Sequence, residues 1–151
     1  METVYPGITM KGQWTATLES GGVVKQVVKG PNVICTNGKE FLSSFLYSAA
    51  LAASTFTCQY VAIGTDLTAE AAAQTALGGE LARQTGTASY VSNQMYVVTA
   101  TFPSGTGTGA IVEYGLLSSA SVGTMLSRTV QTVINKGAND SLTAVLQITI
   151  G

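Results

Sequence analysis

The sequence predicts an all-β protein, an antiparallel β-sandwich of the jelly-roll kind with one short α-helix near residues 38–50. Apolar and polar residues alternate over several short segments, glycine occurs at 17 of 151 positions, and only one segment has helical spacing. Two antiparallel sheets with apolar inner faces are the natural packing for such a chain, and seven to nine strands are expected. We expect an N-terminal arm and hairpin at 1–31 and a β-sandwich domain at 32–151, together as one compact unit.

The first two strands are predicted to form a hairpin. Residues 10–18 alternate, and one face of this strand carries Met10, Gly12, Trp14, Ala16 and Leu18. Ser-Gly-Gly at 20–22 is a turn signal, and extended character resumes over 23–28. A Gly-Pro-Asn break at 30–32 then precedes a short apolar piece at 33–35.

The helix is predicted from its cap and its apolar stripe. Asn37 is placed to cap the helix, with Glu40 three residues later as in a capping box. The stripe comprises Phe41, Leu42, Phe45, Leu46 and Ala49. Such a stripe is typical of a core-facing helix lying across the sandwich; the alternative is a membrane-facing or partner-docking surface.

The second half of the chain reads as strands joined by turns. Strands are predicted at 58–64, 90–102, 110–117, 124–134 and 142–150, with turns at 103–109 and 136–140. Residues 65–81 lack alternation, and a short helical turn at 70–76 and an irregular crossover are equally compatible with them. The Gly-rich run at 105–109 is followed by a strand, which favours a turn over a phosphate-binding loop.

The composition favours a protein that works through contacts with other proteins. Hydrophobic residues make up 46% of the chain and charged residues 10%, against roughly 25% in average soluble domains. So low a charge content is expected either for a low-charge domain, for example a secreted one, or for a domain whose uncharged surface is covered by partners. The seven basic residues are scattered, so no nucleic-acid partner is expected. The N-terminus lacks signal-peptide order and no apolar stretch is long enough to span a bilayer, so no membrane partner is expected.

The residues offer little for catalysis, and we expect no enzyme activity, no cofactor and no metal site. The chain contains no histidine, which removes the commonest general base and metal ligand. The acidic residues are isolated in sequence, so no pair of carboxylates can be assigned. Cys35 and Cys58 lie in apolar stretches and are expected to be buried free thiols.

Four charged residues are singled out as structural candidates: Glu80, Arg83, Glu113 and Arg128. Glu113 and Arg128 interrupt apolar strands, and Arg83 follows closely after Glu80. Burying such charges is costly unless they are paired or face water. They are therefore either outward-facing strand residues or members of salt bridges that fix the register of neighbouring strands or subunits.

The order of segments resembles a widespread group of tailed-bacteriophage virion proteins. The resemblance covers residues 32–151 and lies in NVICTNGKEFLSSFL at 32–46, YVAIGT at 60–65, TALGGELAR at 75–83, the run from 97 to 117, GTMLSRTV at 123–130 and NKGANDSLTAVLQITI at 135–150. The positions that match are Gly64, Leu77, Glu80, Arg83, Glu113, Gly115, Leu116, Arg128, Lys136 and Leu142. Leu117 and Leu146 depart from the group, which favours Phe and Trp there.

The resemblance implies a β-sandwich module used in capsid decoration or in tails. We expect a decoration (cement) protein on the outer capsid surface of the virion, made in the bacterial cytoplasm, bound to the major capsid protein and self-associated as a homotrimer. The alternative is a tail-fibre, tail-tip or other tail-associated module. A module of this kind that binds a receptor or carbohydrate would carry an exposed aromatic cluster on its loops, and the loops at 20–22, 103–107 and 136–140 carry none. A secreted adhesin is a third possibility, and it would require a signal peptide.

Overall fold

The fold is an all-β sandwich of two five-stranded antiparallel sheets with one short helix, as predicted. The structure, a computed structural model, describes residues 9–47, 58–91 and 95–151. The described elements are β1 (Met10–Ser20), β2 (Val23–Pro31), β3 (Val33–Ile34), α1 (Thr36–Tyr47), β4 (Tyr60–Gly64), β5 (Glu80–Thr85), β6 (Thr87–Val91), β7 (Met95–Phe102), β8 (Gly109–Leu117), β9 (Met125–Lys136) and β10 (Asp140–Ile150). Sheet A has the order β2-β1-β10-β7-β6, and sheet B has the order β3-β9-β8-β4-β5.

The N-terminal hairpin is part of sheet A. β1 pairs with β10 from Met10 opposite Ile150 to Ser20 opposite Asp140, and β2 pairs with the other edge of β1. The predicted alternation of β1 is confirmed from Trp14 onward, because Trp14, Ala16 and Leu18 are buried while the intervening side chains are not. β10 alternates in the same way. Residues 1–8 of the predicted arm lie outside the described residues.

The main core fills the space between the two sheets. The rings of Trp14 on β1 and Tyr114 on β8 lie 5.8 Å apart and tie sheet A to sheet B near the centre of the sandwich. Side chains from β7, β9 and β10 complete this core, including Phe102, Ile134 and Leu146. Burial of this apolar surface supplies the main free energy of folding.

The prediction of a single strand at 90–102 is wrong, since two strands, β6 and β7, share this part of the chain. β6 and β7 make an antiparallel hairpin, from Thr87 opposite Thr99 to Val91 opposite Met95. The sequence at 92–94 is Ser-Asn-Gln, and it contains neither of the residues, Gly and Pro, that most strongly mark turns. β5 at Glu80–Thr85 was not predicted as a strand either, and with both differences the described ranges contain ten strands, more than the seven to nine predicted.

The helix begins earlier than its predicted cap. α1 starts at Thr36, so Asn37 lies inside it, and the N–H of Lys39 donates to the carbonyl of Cys35. Backbone hydrogen bonds to other segments fix this start, because the N–H of Cys35 donates to the carbonyl of Leu126 and the N–H of Thr36 donates to the carbonyl of Ala72. The side chains of Phe41, Phe45 and Leu46, and all of Ala49, lie outside the described residues.

The outer side of sheet B is covered by α1 and by residues 65–79, which we call the crossover segment. The crossover segment contains no helix and no strand, so the irregular alternative is the one observed. A second, smaller apolar cluster lies beneath this cover and comprises Cys35, Ala62, Leu77, Leu117 and Met125. Residues 111–117 of β8 are therefore buried on both faces. No helix in the described ranges has both the length and the apolar character that a bilayer crossing requires.

Candidate functional site

The most elaborate polar cluster lies under the crossover segment and centres on Glu113 and Arg128. These residues stand on neighbouring strands β8 and β9, and neither side chain is accessible to solvent. Nε and Nη2 of Arg128 donate to Oε2 of Glu113, at 3.1 and 2.8 Å. Both side chains are on the outer side of sheet B but do not face water. The sequence left open whether these residues face water or form a salt bridge, and the structure shows a salt bridge between neighbouring strands.

Glu113 also binds the backbone of the crossover segment. Oε1 accepts the N–H groups of Asp66 at 3.2 Å and Gly79 at 2.6 Å, and Oε2 accepts that of Gly78 at 3.0 Å. These donors at both ends of the segment, with the guanidinium, replace the water that the carboxylate loses on burial. One buried side chain therefore fixes both ends of the crossover segment on the sheet.

Arg128 binds the middle of the same segment. Nη1 donates to the carbonyl of Thr68 at 2.9 Å and to Oε1 of Gln74 at 3.0 Å, and Nη2 lies 3.3 Å from Oδ2 of Asp66. Gln74 in turn accepts the N–H of Ala71 at 2.8 Å. All three guanidinium nitrogens are engaged. This satisfies the requirement for burying an arginine and orders a segment that has no regular structure of its own.

Three glycines let the chain approach this cluster closely. A Cβ on Gly64 would collide with Oε1 of Glu113, and one on Gly78 would collide with Oδ2 of Asp66. A Cβ on Gly115 would meet Cδ1 of Leu77, the apolar side chain by which the crossover segment enters the second core. Glycine is needed at these positions for space.

Glu80 and Arg83 form a second cluster on β5. Nη2 and Nε of Arg83 lie 2.7 and 2.9 Å from the two carboxylate oxygens of Glu80, as a fork-like pair. Nη1 of Arg83 donates to the carbonyls of Ser119 and Val122, each at 2.8 Å. This cluster anchors the loop between β8 and β9 and shares no hydrogen bond with the Glu113–Arg128 cluster.

The anchored loop holds an unusual backbone conformation. Val122 has a φ of 58°, in the left-handed region that a β-branched residue rarely adopts, and its side chain is 86% exposed. The Arg83 hydrogen bond to its carbonyl and the Ser118–Thr124 backbone bond constrain the loop on both sides. Strain of this kind persists only where surrounding contacts impose it.

A third cluster joins β9 to β10, and no pattern in the sequence identified its members as one. Lys136 is 2% exposed, and its Nζ donates to the carbonyls of Pro103 at 3.0 Å and Asp140 at 2.8 Å. Oδ1 of Asp140 lies 3.0 Å from Nζ of Lys25, and Oδ2 accepts the N–H of Gly137. The Gly137 hydrogen bond, followed by those of Lys25 and Ser20, lowers the pKa of Asp140 to about 2. Desolvation lowers the pKa of Lys136, against the opposing effect of Asp140.

Asp66 and Gln74 were also missed as members of the Glu113–Arg128 cluster. Both lie in the crossover segment, where no periodicity assigns a side chain to a face. Asp66 is part of a local turn, because its Oδ1 accepts the N–H and the hydroxyl of Thr68. An Asp followed two residues later by Thr is compatible with such an Asx-type turn, and this was the only local signal available.

The two cysteines do not add a reactive group to these clusters. Cys35 and Cys58 are free and buried. Desolvation raises the pKa of both thiols, that of Cys58 to about 11, while Arg128 partly opposes the effect at Cys35. Both therefore remain protonated near neutral pH and are poor nucleophiles. Within the described ranges, no group of three or more Cys, Asp or Glu side chains is arranged to hold a metal ion.

The comparisons with known proteins add no relative. No protein-family model, no curated protein and no solved structure matches the chain. What these clusters do chemically is hold backbone: the charges in them bind carbonyls, N–H groups or one another.

Proposed function

We propose that this chain is a non-enzymatic structural protein of a tailed-bacteriophage particle. It is a decoration (cement) protein on the outer capsid surface, where it binds between major capsid subunits and stabilises the head. Self-association is part of the proposal; the resemblance alone implies a homotrimer.

The observation that carries the proposal is the way the chain uses its buried charges. Glu113 accepts three backbone N–H groups besides its bonds from Arg128, and Arg128 holds the carbonyl of Thr68. A carboxylate and a guanidinium bound in this way are committed to the shape of the outer side of sheet B. This suits a protein whose task is to present a fixed surface to its neighbours.

The composition supports the same proposal. Only 10% of the residues are charged, and four of the charged residues, Glu113, Arg128, Lys136 and Asp140, are buried. The remaining surface is mostly neutral, and the cores of protein interfaces are likewise depleted of charge. We therefore propose that attachment depends on apolar burial and backbone hydrogen bonds more than on ion pairs.

Stabilisation would follow from mass action. A protein that binds only where assembled capsid subunits meet adds its binding free energy to the assembled shell and none to separate subunits. Burial of roughly 1,200–2,000 Å² in total is enough for a specific contact of this kind. No chemical step is needed, which agrees with a chain that lacks histidine.

A tail-associated module is the second candidate, and it rests on the same resemblance. The two candidates differ in copy number, since a decoration protein covers the head and a tail component is present only at the tail. The experiment is to raise antibodies to the purified chain, detect it in purified particles of the phage that encodes it, and count copies by quantitative gel. Hundreds of copies support the head proposal, a dozen or fewer support the tail, and none in the particle refutes both.

A further inference from the structure

The outer face of sheet A is a broad surface with no described element packed on it. Its five strands, at about 4.8 Å spacing and about 3.4 Å rise per residue, give an area on the order of 700 Å² over the length of β1. A stable interface of standard size buries roughly 600–1,000 Å² on each partner. The face is therefore large enough to form one complete interface.

The centre of this face is neutral and partly apolar. Thr143, Val145 and Gln147 of β10 form its middle, and the facing residues of β1 and β7 are also uncharged. Two exposed valines extend it, Val27 on β2 at 49% and Val91 on β6 at 42%. A neutral centre with charge at the rim is the usual layout of a protein interface.

The charges on the face are arranged so that it complements itself. Lys11 and Glu19 lie at opposite ends of β1. Each is an odd number of residues from Trp14, whose side chain points into the core, so both side chains lie on the outer face. They are eight residues apart, which corresponds to about 27 Å along the strand. Neither forms an ion pair within the part of the chain that the structure describes. A two-fold axis that lies between two facing A sheets, perpendicular to β1 and near its middle, would bring each lysine over the glutamate of a second copy.

We propose that two copies of this chain associate face to face through the outer sides of their A sheets, about a two-fold axis near Thr15. Lys11 of one copy then lies opposite Glu19 of the partner subunit, twice per dimer. Packed sheets are rotated by about 30°, which displaces these ends by roughly 7 Å, a distance that the long side chains span. The proposal goes beyond the function proposed above and differs from the expected trimer.

The dimer would have a direct consequence for a protein that binds between capsid subunits. Pairing through sheet A leaves the outer side of sheet B free on both copies. The two crossover segments, each fixed by its own Glu113–Arg128 cluster, then face away from each other. The dimer is thus a rigid body with two identical binding surfaces, which is the geometry needed to join two neighbours.

One charge opposes the dimer and provides an independent test. Lys29 on β2 lies opposite Thr15 in the register of sheet A, so the proposed axis passes close to it. The two Lys29 side chains of the dimer then approach each other at the edge of the interface, and the juxtaposition of like charges across an interface is unfavourable. Lys29→Ala should therefore strengthen the dimer.

Other occupants of the face are less favourable. A nucleic acid requires a basic surface, and the paired rows of this face carry two lysines and one glutamate. A membrane would require an apolar face, whereas this one is rich in threonine and glutamine. A second copy satisfies both the area and the charge pattern.

The test is sedimentation equilibrium of the purified full-length chain. Charge-reversal variants distinguish a specific contact between Lys11 and Glu19 from a general effect of changed net charge. The wild type should sediment at twice its 15.5 kDa mass. Lys11→Glu and Glu19→Lys should each weaken dimerisation about tenfold or more, because each turns two attractions into two repulsions. The double variant should return to within about threefold of the wild type. Lys39→Glu on α1 makes the same charge change elsewhere and should have no effect.

Each of the other outcomes overturns the inference. These outcomes are a monomer at all concentrations, a trimer, or a dimer that neither the reversals nor Val145→Arg at the centre of the face weakens. Circular dichroism and the melting temperature of each variant show that its fold is retained. Binding to phage heads is measured separately, so failure of the proposed function leaves the dimer result standing, and the reverse also holds.

Discussion

Arg128 and Glu113 are both inaccessible to solvent, and Nη2 of Arg128 lies 2.8 Å from Oε2 of Glu113. The pair joins β8 to β9 and also holds the crossover segment at both ends and in the middle. A segment with no regular structure thereby becomes a fixed part of the surface. The stability of the fold should therefore depend on this pair and, to a smaller extent, on the two other polar clusters.

Removing Arg128 should be among the most destabilising single changes outside the apolar core. Arg128→Met leaves the Glu113 carboxylate buried without its counter-charge and releases the carbonyl of Thr68. Breaking a buried pair from one side costs about 3–5 kcal/mol of unfolding free energy. Urea denaturation measures this change directly. Glu80→Gln is the matched control at a pair whose acid is about one-third exposed, and it should cost less than about 1 kcal/mol.

The same cluster should behave as a unit in a double-mutant cycle. Arg128→Met combined with Glu113→Gln should cost less than the sum of the two single changes, by about 1 kcal/mol or more, because the second change removes the unpaired charge. Additive losses would show that the two side chains stabilise the fold independently. That result would contradict a cluster in which each charge depends on the other.

Replacing Gly64 tests whether the close approach at the cluster is required. A Cβ at this position would collide with Oε1 of Glu113, and Gly79 O also lies within 2.5 Å of it. Gly64→Ala should therefore lower the unfolding free energy by about 1–3 kcal/mol. Gly151→Ala places a methyl group in open space and should be neutral. Equal effects of the two substitutions would mean that the cluster adjusts freely.

The alternation of the strands is the part of the fold that could be predicted from the sequence. Trp14 and Leu146 fall on the buried faces of β1 and β10 as their spacing requires. The period of two is a local property, so it survives in the tertiary structure. The division of 90–102 into β6 and β7 was missed, because Ser-Asn-Gln at 92–94 carries no strong turn signal.

Relieving the strain at Val122 should stabilise the protein. Asparagine tolerates a φ of 58° better than valine, so Val122→Asn should raise the unfolding free energy by about 0.5–1 kcal/mol, with a higher melting temperature. Val133→Asn is the control, since Val133 is an exposed strand residue and loses β-propensity. It should lower the melting temperature. A decrease for both variants would argue that the Val122 conformation is not strained.

Asp140 should make stability depend on pH in the acid range. Its pKa in the folded protein is about 2, below the value of about 3.8 expected when it is unfolded. The unfolded state therefore binds the proton first, and the contribution of Asp140 is complete above about pH 4 and lost as pH falls towards 2. Asp140→Asn should reduce the slope of unfolding free energy against pH in this window. An unchanged slope would contradict the assignment.

The clusters themselves could be predicted only in part. Charges inside apolar strands identified Glu113 and Arg128 as unusual, because a strand position is assigned to a face by its neighbours. Their partners could not be found in this way. Asp66, Gln74 and the two glycines at 78–79 belong to an irregular segment, and the contacts they make are with strands 34 to 62 residues away. Such contacts depend on the path of the chain, which no local pattern encodes.

The most direct test of the proposed role is the binding of the purified chain to phage heads that lack it. Heads from a phage with the gene deleted are incubated with the chain and sedimented at roughly 0.05 M and about 1 M salt, the latter screening charges beyond ~3 Å. If attachment depends on apolar burial, the chain sediments with the heads at both salt concentrations. Absence of binding, or release of the chain at the higher salt concentration, would contradict the proposal.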